Sequence, residues 1–167
     1  IRGDKHTSQL KGKTISIDEV NQLFAVCRAD EKPIGIRDAT IIAILHSTGI
    51  RREACASLDL TDYDPKAGRL IIKATESKNN KEYSPFLSDG AIRWLDEWLT
   101  LRRRVSDEGV IFLRSRKDGT FINQGIGGGA VYNIIIRRCK QAGLEHYSPH
   151  DFRYTLISSL LAQGVDL

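Results

Sequence analysis

The chain has 167 residues, 41% of them hydrophobic and 28% charged, which suits one domain large enough to bury its own core. No apolar run approaches the roughly 18 residues that cross a bilayer, and the basic, polar start from Ile1 to Lys13 lacks the apolar stretch of a signal peptide. No membrane partner is expected, a cytoplasmic protein is the default, and the formal net charge of +4 permits phosphate-rich partners without establishing one.

Ile1 to Thr14 shows no sustained periodicity and reads as a linker or arm. Ser16 and Glu19 have capping-box spacing ahead of the apolar stripe Val20, Leu23, Phe24 and Cys27, which predicts a first helix over Ile17 to Arg28. A second helix follows Pro33 and Gly35, running from Arg37 through Leu45, with Gly49 as its stop. Arg51 to Ser57 makes a short third. Leu60 to Tyr63, Arg69 to Ala74 and Glu82 to Leu87 are three short strands, parted by the turn signals Asp64-Pro65-Lys66-Ala67-Gly68 and Ser77-Lys78-Asn79-Asn80. They predict one small three-stranded antiparallel sheet in an α+β, mostly α-helical fold.

Ser88 caps a helix whose apolar face, Ile92, Leu95, Trp98, Leu99 and Leu101, belongs to the core. Val110 to Leu113 leads into a polar loop. Gly125, Gly127, Gly128 and Gly129 match no phosphate-loop spacing and precede a helix over Ala130 to Gln141, stopped by Gly143. A last helix begins at Pro149 and carries Phe152, Leu156, Leu160 and Leu161 up to Gly164. Cys27, Cys55 and Cys139 are odd in number and lie in apolar contexts, so they read as buried, reduced thiols. No Asp, Glu and His cluster recurs at ligand spacing, and neither a metal nor another cofactor is expected. The basic clusters Arg102 to Arg104, Arg114 to Lys117 and Arg137 to Lys140 fit solvated helix faces as well as a DNA track.

Four residues carry candidate chemistry: Arg51 after Gly49, Lys78 in a turn between strands, and His150 and Arg153 at the start of the last helix. Thr48-Gly49-Ile50-Arg51, followed by Leu58 and Asp62, resembles the first signature of the tyrosine recombinases, the family of phage integrases and chromosome-dimer resolvases. Lys78-Asn79-Asn80-Lys81-Glu82 is similar to the family's lysine-bearing hairpin. His150-Asp151-Phe152-Arg153 resembles its His-x-x-Arg box, a pattern that Leu160-Leu161 and Gly164-Val165-Asp166-Leu167 continue. The resemblance runs from Thr14 to Leu167, and its fold, mostly helical with one three-stranded sheet, agrees with the elements read from periodicity.

The resemblance implies a catalytic domain over residues 15–167 that acts on double-stranded DNA. Arg51 and Arg153 would bind the non-bridging oxygens of the scissile phosphate, Lys78 would protonate the departing 5′ oxygen, and His150 would assist proton transfer or hydrogen-bond the phosphate. Guanidinium forks offer fixed bidentate donors to the charge that builds on phosphoryl oxygens, and a lysine can hand a proton to an alkoxide. The family's nucleophilic tyrosine falls a few tens of residues beyond the His-x-x-Arg box, past Leu167. The domain is thus expected to be C-terminally incomplete, inactive alone and monomeric, within a longer protein that assembles as a tetramer on DNA. Ala54 stands where the family carries an acidic residue, Tyr83 where its hairpin often ends in Arg, and Tyr154 where a second His is common. Those departures keep open a catalytically silent DNA-binding relative. A type IB topoisomerase is a third reading.

Overall fold

The computed structural model describes residues 11–166. Ten named elements follow one another: α1 (Ile17–Arg28), α2 (Ile34–Thr48), α3 (Arg52–Ser57), β1 (Tyr63–Asp64), β2 (Arg69–Leu70), α4 (Asp89–Arg102), β3 (Leu113–Ser115), β4 (Phe121–Gly125), α5 (Gly128–Gln141) and α6 (Pro149–Ala162). Residues 1–10 of the expected arm lie outside the described residues. No described helix is long and apolar enough to cross a membrane.

The helix ends obey local chemistry. Glu19 N–H donates to Ser16 Oγ and Ser16 N–H to Glu19 Oε1, both at 3.1 Å, closing the capping box that starts α1. Ala91 N–H donates to Ser88 Oγ at 3.2 Å at the start of α4. Pro149 occupies the first turn of α6, and Asp151 caps its start by accepting the Ser148 N–H at 2.8 Å. α2 begins at Ile34, earlier than the expected Arg37, and α5 at Gly128 rather than Ala130.

α2 is the axis of the molecule. Its residues from Arg37 to Leu45 are all buried, because α1, α4 and α6 pack around it and α3 packs on α5. A helix buried on every side belongs in the centre of a bundle, which explains why α2 shows no clean amphipathic stripe. Trp98 of α4 is fully buried, donates its indole N–H to Ile111 O at 2.9 Å, and meets Phe121 edge-on with ring centroids 4.9 Å apart. Burial pushes the Cys27 and Cys55 thiols up to about 12, so these thiols stay protonated packing groups.

A buried ionic hub ties α2 to α5. Asp38, fully buried, accepts from Arg37 Nε (3.0 Å) and Nη2 (2.8 Å), from Arg137 Nη2 (2.8 Å) and from Arg138 Nε (2.9 Å). Arg138 Nη2 also donates to Asp30 at 2.9 Å and Arg37 Nη1 to Leu113 O at 3.0 Å. Arg102 is likewise buried, donating to the carbonyls of Ser106, Glu108 and Val110. Neither a solvated face nor a DNA track describes Arg102 or Arg138. Both are structural cations.

The expected three-stranded sheet is present only in fragments. β1 and β2 pair antiparallel, Tyr63 opposite Leu70 and Asp64 opposite Arg69. The third segment joins through isolated bridges, Arg69 with Phe86 and Ile72 with Tyr83. Pro85 lacks an N–H and can only accept, as it does from Leu70 N–H at 3.0 Å, while Ala74–Glu76 winds into a 3₁₀ turn that cuts the middle strand short. A second antiparallel pair, β3 with β4, forms where a polar loop is expected, its tight turn running from Arg116 to Thr120. Asp118-Gly119 is the turn signal that carries it.

Candidate functional site

Gly49 ends α2 in the left-handed region at φ 62°, its N–H bonded to Leu45 O at 2.9 Å. The chain turns sharply there, so that Ile50 enters the core and Arg51 becomes the exposed N-cap residue of α3. An added Cβ at Gly49 would stand 2.9 Å from Leu156 Cδ2 of α6, the flexible end of that side chain, so it is the left-handed φ that calls for glycine. Arg153, one turn into α6, donates Nη1 to Gly49 O at 3.0 Å. This bond ties the first motif to the last.

Lys78, exposed, lies in the turn after the 3₁₀ segment. Asn80 takes a left-handed φ of 51° there, and Lys81 N–H donates to Ser77 Oγ at 3.0 Å. His150 is the second residue of α6, and its Nε2 lies 2.9 Å from the carbonyl oxygen of Lys11.

Arg51, Lys78, His150 and Arg153, from three separate parts of the chain, all line one cleft of about 580 Å³. A second cleft of about 370 Å³ adjoins it, sharing Arg51, Lys78 and Arg153 and continuing past Lys81 and Tyr83 to Leu156 and Leu160 on α6. The floor is partly apolar and the cations stand around it. Such an arrangement suits a bulky anion whose charge is met by guanidinium donors while its remaining surface rests on aliphatic groups.

Two further cleft residues lie outside the motifs. Tyr132 of α5 carries the Arg52 guanidinium 5.5 Å from its ring centroid, and its hydroxyl lies 3.3 Å from His146 Nε2. Arg52 is legible only as a neighbour of Arg51, and Tyr132 reaches the cleft only because α5 packs on α3. Of the departures, Ala54 is buried, while Glu53 is exposed, with its carboxylate against Gly128 at the start of α5 and 3.6 Å from Arg52 Nε. Tyr154 packs against Gly12.

The profile of the Phage integrase family matches residues 13–167. The chain belongs to the phage integrase family. Among its relatives, tyrosine recombinase XerC of Vibrio cholerae serotype O1 is 27% identical over 183 residues, taking in 100% of this chain and 55% of the relative. XerC of Oceanobacillus iheyensis is 35% identical over 156 residues, 90% of this chain and 48% of that protein. This phage integrase family chain thus spans about half the length of the curated relatives it matches. Its fold is similar to that of the XerA recombinase crystal structure, with a TM-score of 0.76 at 22% identity over 92% of this chain and 52% of that one. It is also similar to the Tn1549 transposon integrase solved in complex with transposon right end DNA, with a TM-score of 0.69 at 16% identity over 95% of this chain and 56% of that one. At these identities the likeness is one of fold.

Proposed function

We propose that these residues are the catalytic domain, over 15–167, of a site-specific DNA recombinase, and that the cleft takes one scissile phosphodiester of double-stranded DNA. The observation that carries this reading is the meeting of Arg51, Lys78, His150 and Arg153 in one cleft. XerC relatives named as tyrosine recombinases, and an integrase of similar fold solved on DNA, support it.

In this reading Arg51 and Arg153 clamp the non-bridging oxygens, where charge builds as the phosphorus is attacked. Arg153 keeps one N–H on Gly49 O and has others free for the phosphate, so that bond sets the angle of the fork without consuming it. A tyrosine hydroxyl outside these 167 residues passes its proton to a base as its oxygen forms the new bond to phosphorus, the bond to the 5′ oxygen breaks, and Lys78 gives that oxygen a proton. The product is a 3′-phosphotyrosyl link. His150 bonds a phosphoryl oxygen or passes a proton. The 167-residue chain alone is a monomer that binds DNA without cleaving it, and the longer protein assembles as a tetramer on its site.

A second reading, a silent DNA-binding relative, draws on the buried Ala54 and on Tyr154 packed against Gly12. A nicked duplex that traps cleaved strands separates the two. The chain as it is, the chain extended through its own reading frame, and the extended chain with Arg153→Ala are each scored for a protein–DNA adduct on a denaturing gel. The recombinase reading expects an adduct in the extended chain alone. Tight binding with no adduct in any sample moves the assignment to the silent relative, and absence of binding at low salt sinks both.

A further inference from the structure

The segment Lys11 to Ile15 is bonded along the first half of α6 at every second residue. Ile15 N–H donates to Thr155 Oγ1 at 3.0 Å, and Lys13 N–H to Asp151 Oδ1 at 2.9 Å. The Lys11 carbonyl faces His150 Nε2 at 2.9 Å. Lys13 Nζ adds a bond to His146 O at 2.8 Å and stands 3.6 Å from Glu145. The main-chain partners are 138 to 140 residues apart in sequence, so these are tertiary contacts of the fold. Between them Gly12 passes so close to α6 that an added Cβ would stand 2.6 Å from Tyr154 Cγ and 2.8 Å from Tyr154 Cβ.

A carbonyl oxygen only accepts. The His150 ring must therefore carry its hydrogen on Nε2 in this bond, and when neutral it bears its lone pair on Nδ1 alone. An exposed imidazole without such a partner turns about its side-chain bonds and exchanges between two tautomers, so a fixed backbone acceptor narrows it to one.

We infer that the segment Lys11 to Ile15 is a positioning strap for His150. The Lys11 carbonyl holds the imidazole in the Nε2–H form, leaving Nδ1 as the atom that accepts a proton or, when protonated, bonds a phosphoryl oxygen. Gly12 is the residue that lets the strap close, since a larger one collides with Tyr154. The inference rests on the reading of the cleft as a phosphodiester site, but the state of the ring can be measured without DNA. Lys11, Gly12, Asp151 and Thr155 act here through His150 and touch no substrate.

The test uses the full 167-residue chain labelled with ¹⁵N in its four histidines, with long-range ¹H–¹⁵N correlation spectra recorded where the rings are neutral. His150→Gln assigns the signals. The expected result is an Nε2–H ring at His150 in the parent chain and averaged tautomers in Gly12→Val, with the His46 ring unchanged as a check on the fold. Gly12→Ala places a single methyl at the same spot and decides the matter if the valine variant does not fold. Adding Tyr154→Gly to Gly12→Ala removes the three atoms nearest the methyl, Tyr154 Cβ, Cγ and Cδ1, and is expected to restore the parent pattern. A parent ring that is averaged or protonated on Nδ1, or a ring still held in the Nε2–H form in the Gly12 variants, overturns the strap.

Titration of the same samples with duplex DNA is expected to show about three- to tenfold weaker binding for Gly12→Val, the scale of one positioned hydrogen bond. Tighter binding overturns the inference, because the segment would then be withholding His150 rather than setting it. Failure of the parent chain to bind DNA sinks the phosphodiester reading and leaves the strap to be judged by the spectra. Binding together with an averaged parent ring sinks the strap alone.

Discussion

Gly49 holds a left-handed φ that favours glycine, and any Cβ there would also press on Leu156 Cδ2 at 2.9 Å. Gly49→Ala is expected to cost about 1–3 kcal/mol of stability. It should also weaken DNA binding beyond what the lost stability explains, because the Gly49 carbonyl orients Arg153. Denaturant melts and DNA titrations on the same variant test this, and unchanged DNA affinity in a folded variant would show that the Gly49 bond does not set Arg153. His46 supplies a pH dependence. Burial against Phe152, whose ring stands edge-on at 6.5 Å, holds the His46 pKa below its ordinary 6.5. The unfolded chain therefore takes up a proton that the folded chain refuses. The contribution of a neutral His46 is fully present above about 6.5, declines as pH falls through that value, and stops changing below the lower folded pKa. Replacement by Gln is expected to flatten this part of the stability–pH curve, and an equally steep curve in His46→Gln would assign the slope to other groups.

Among elements, the α2–α5 contact is the one most exposed to a single substitution. Asp38→Ala leaves Arg37 buried without a carboxylate and Arg138 with Asp30 alone, a loss of about 3–5 kcal/mol. Set against total stabilities of about 5–15 kcal/mol, that is enough to unfold a marginal domain. A melting curve for Asp38→Ala within a degree or two of the parent would show that the hub is not holding these helices. α1 was legible to its ends because Ser16 and Glu19 announce its start and the stripe of Val20, Leu23 and Cys27 gives its period. The start of α2 was not, since Pro33 opens it without a side-chain cap. The β3–β4 pair was missed although Asp118-Gly119 marks its turn, because Leu113–Ser115 is too short to show an alternation. Pro85, by contrast, could have warned that the third strand would be broken.

At the scale of the whole molecule, the charge that remains for a partner differs from the charge in the sequence. Arg102 and Arg138 are enclosed and Arg37 is spent on Asp38, whereas Arg51, Lys78, Arg153, Arg52 and Lys81 stand around the two clefts. DNA affinity is expected to fall steeply with salt, with a slope in log–log form of about 0.9 for each phosphate contacted. Neutralising Lys78 or Lys81 should lower that slope by about one contact each. A slope indifferent to both would place the DNA elsewhere on the surface. The four motif residues could be read from the sequence because each sits in a short recognisable string. Arg52 with Tyr132, and Lys11 with His150, could not, because both pairs arise only where distant segments pack. No periodicity distinguishes a buried arginine from a surface one.

The hub at Asp38 also bears on the order in which the chain folds. Asp38 and Arg138 are 100 residues apart, so their bond closes a loop spanning more than half the chain. Closing so large a loop costs entropy that nearer contacts must first offset, so the hub is expected to form after the rate-limiting barrier to folding. Its stabilisation then resides in the rate of escape from the native state. Weakening it should hasten unfolding while leaving the refolding limb of the chevron nearly in place. A domain latched in this way resists momentary opening more than its equilibrium stability alone conveys.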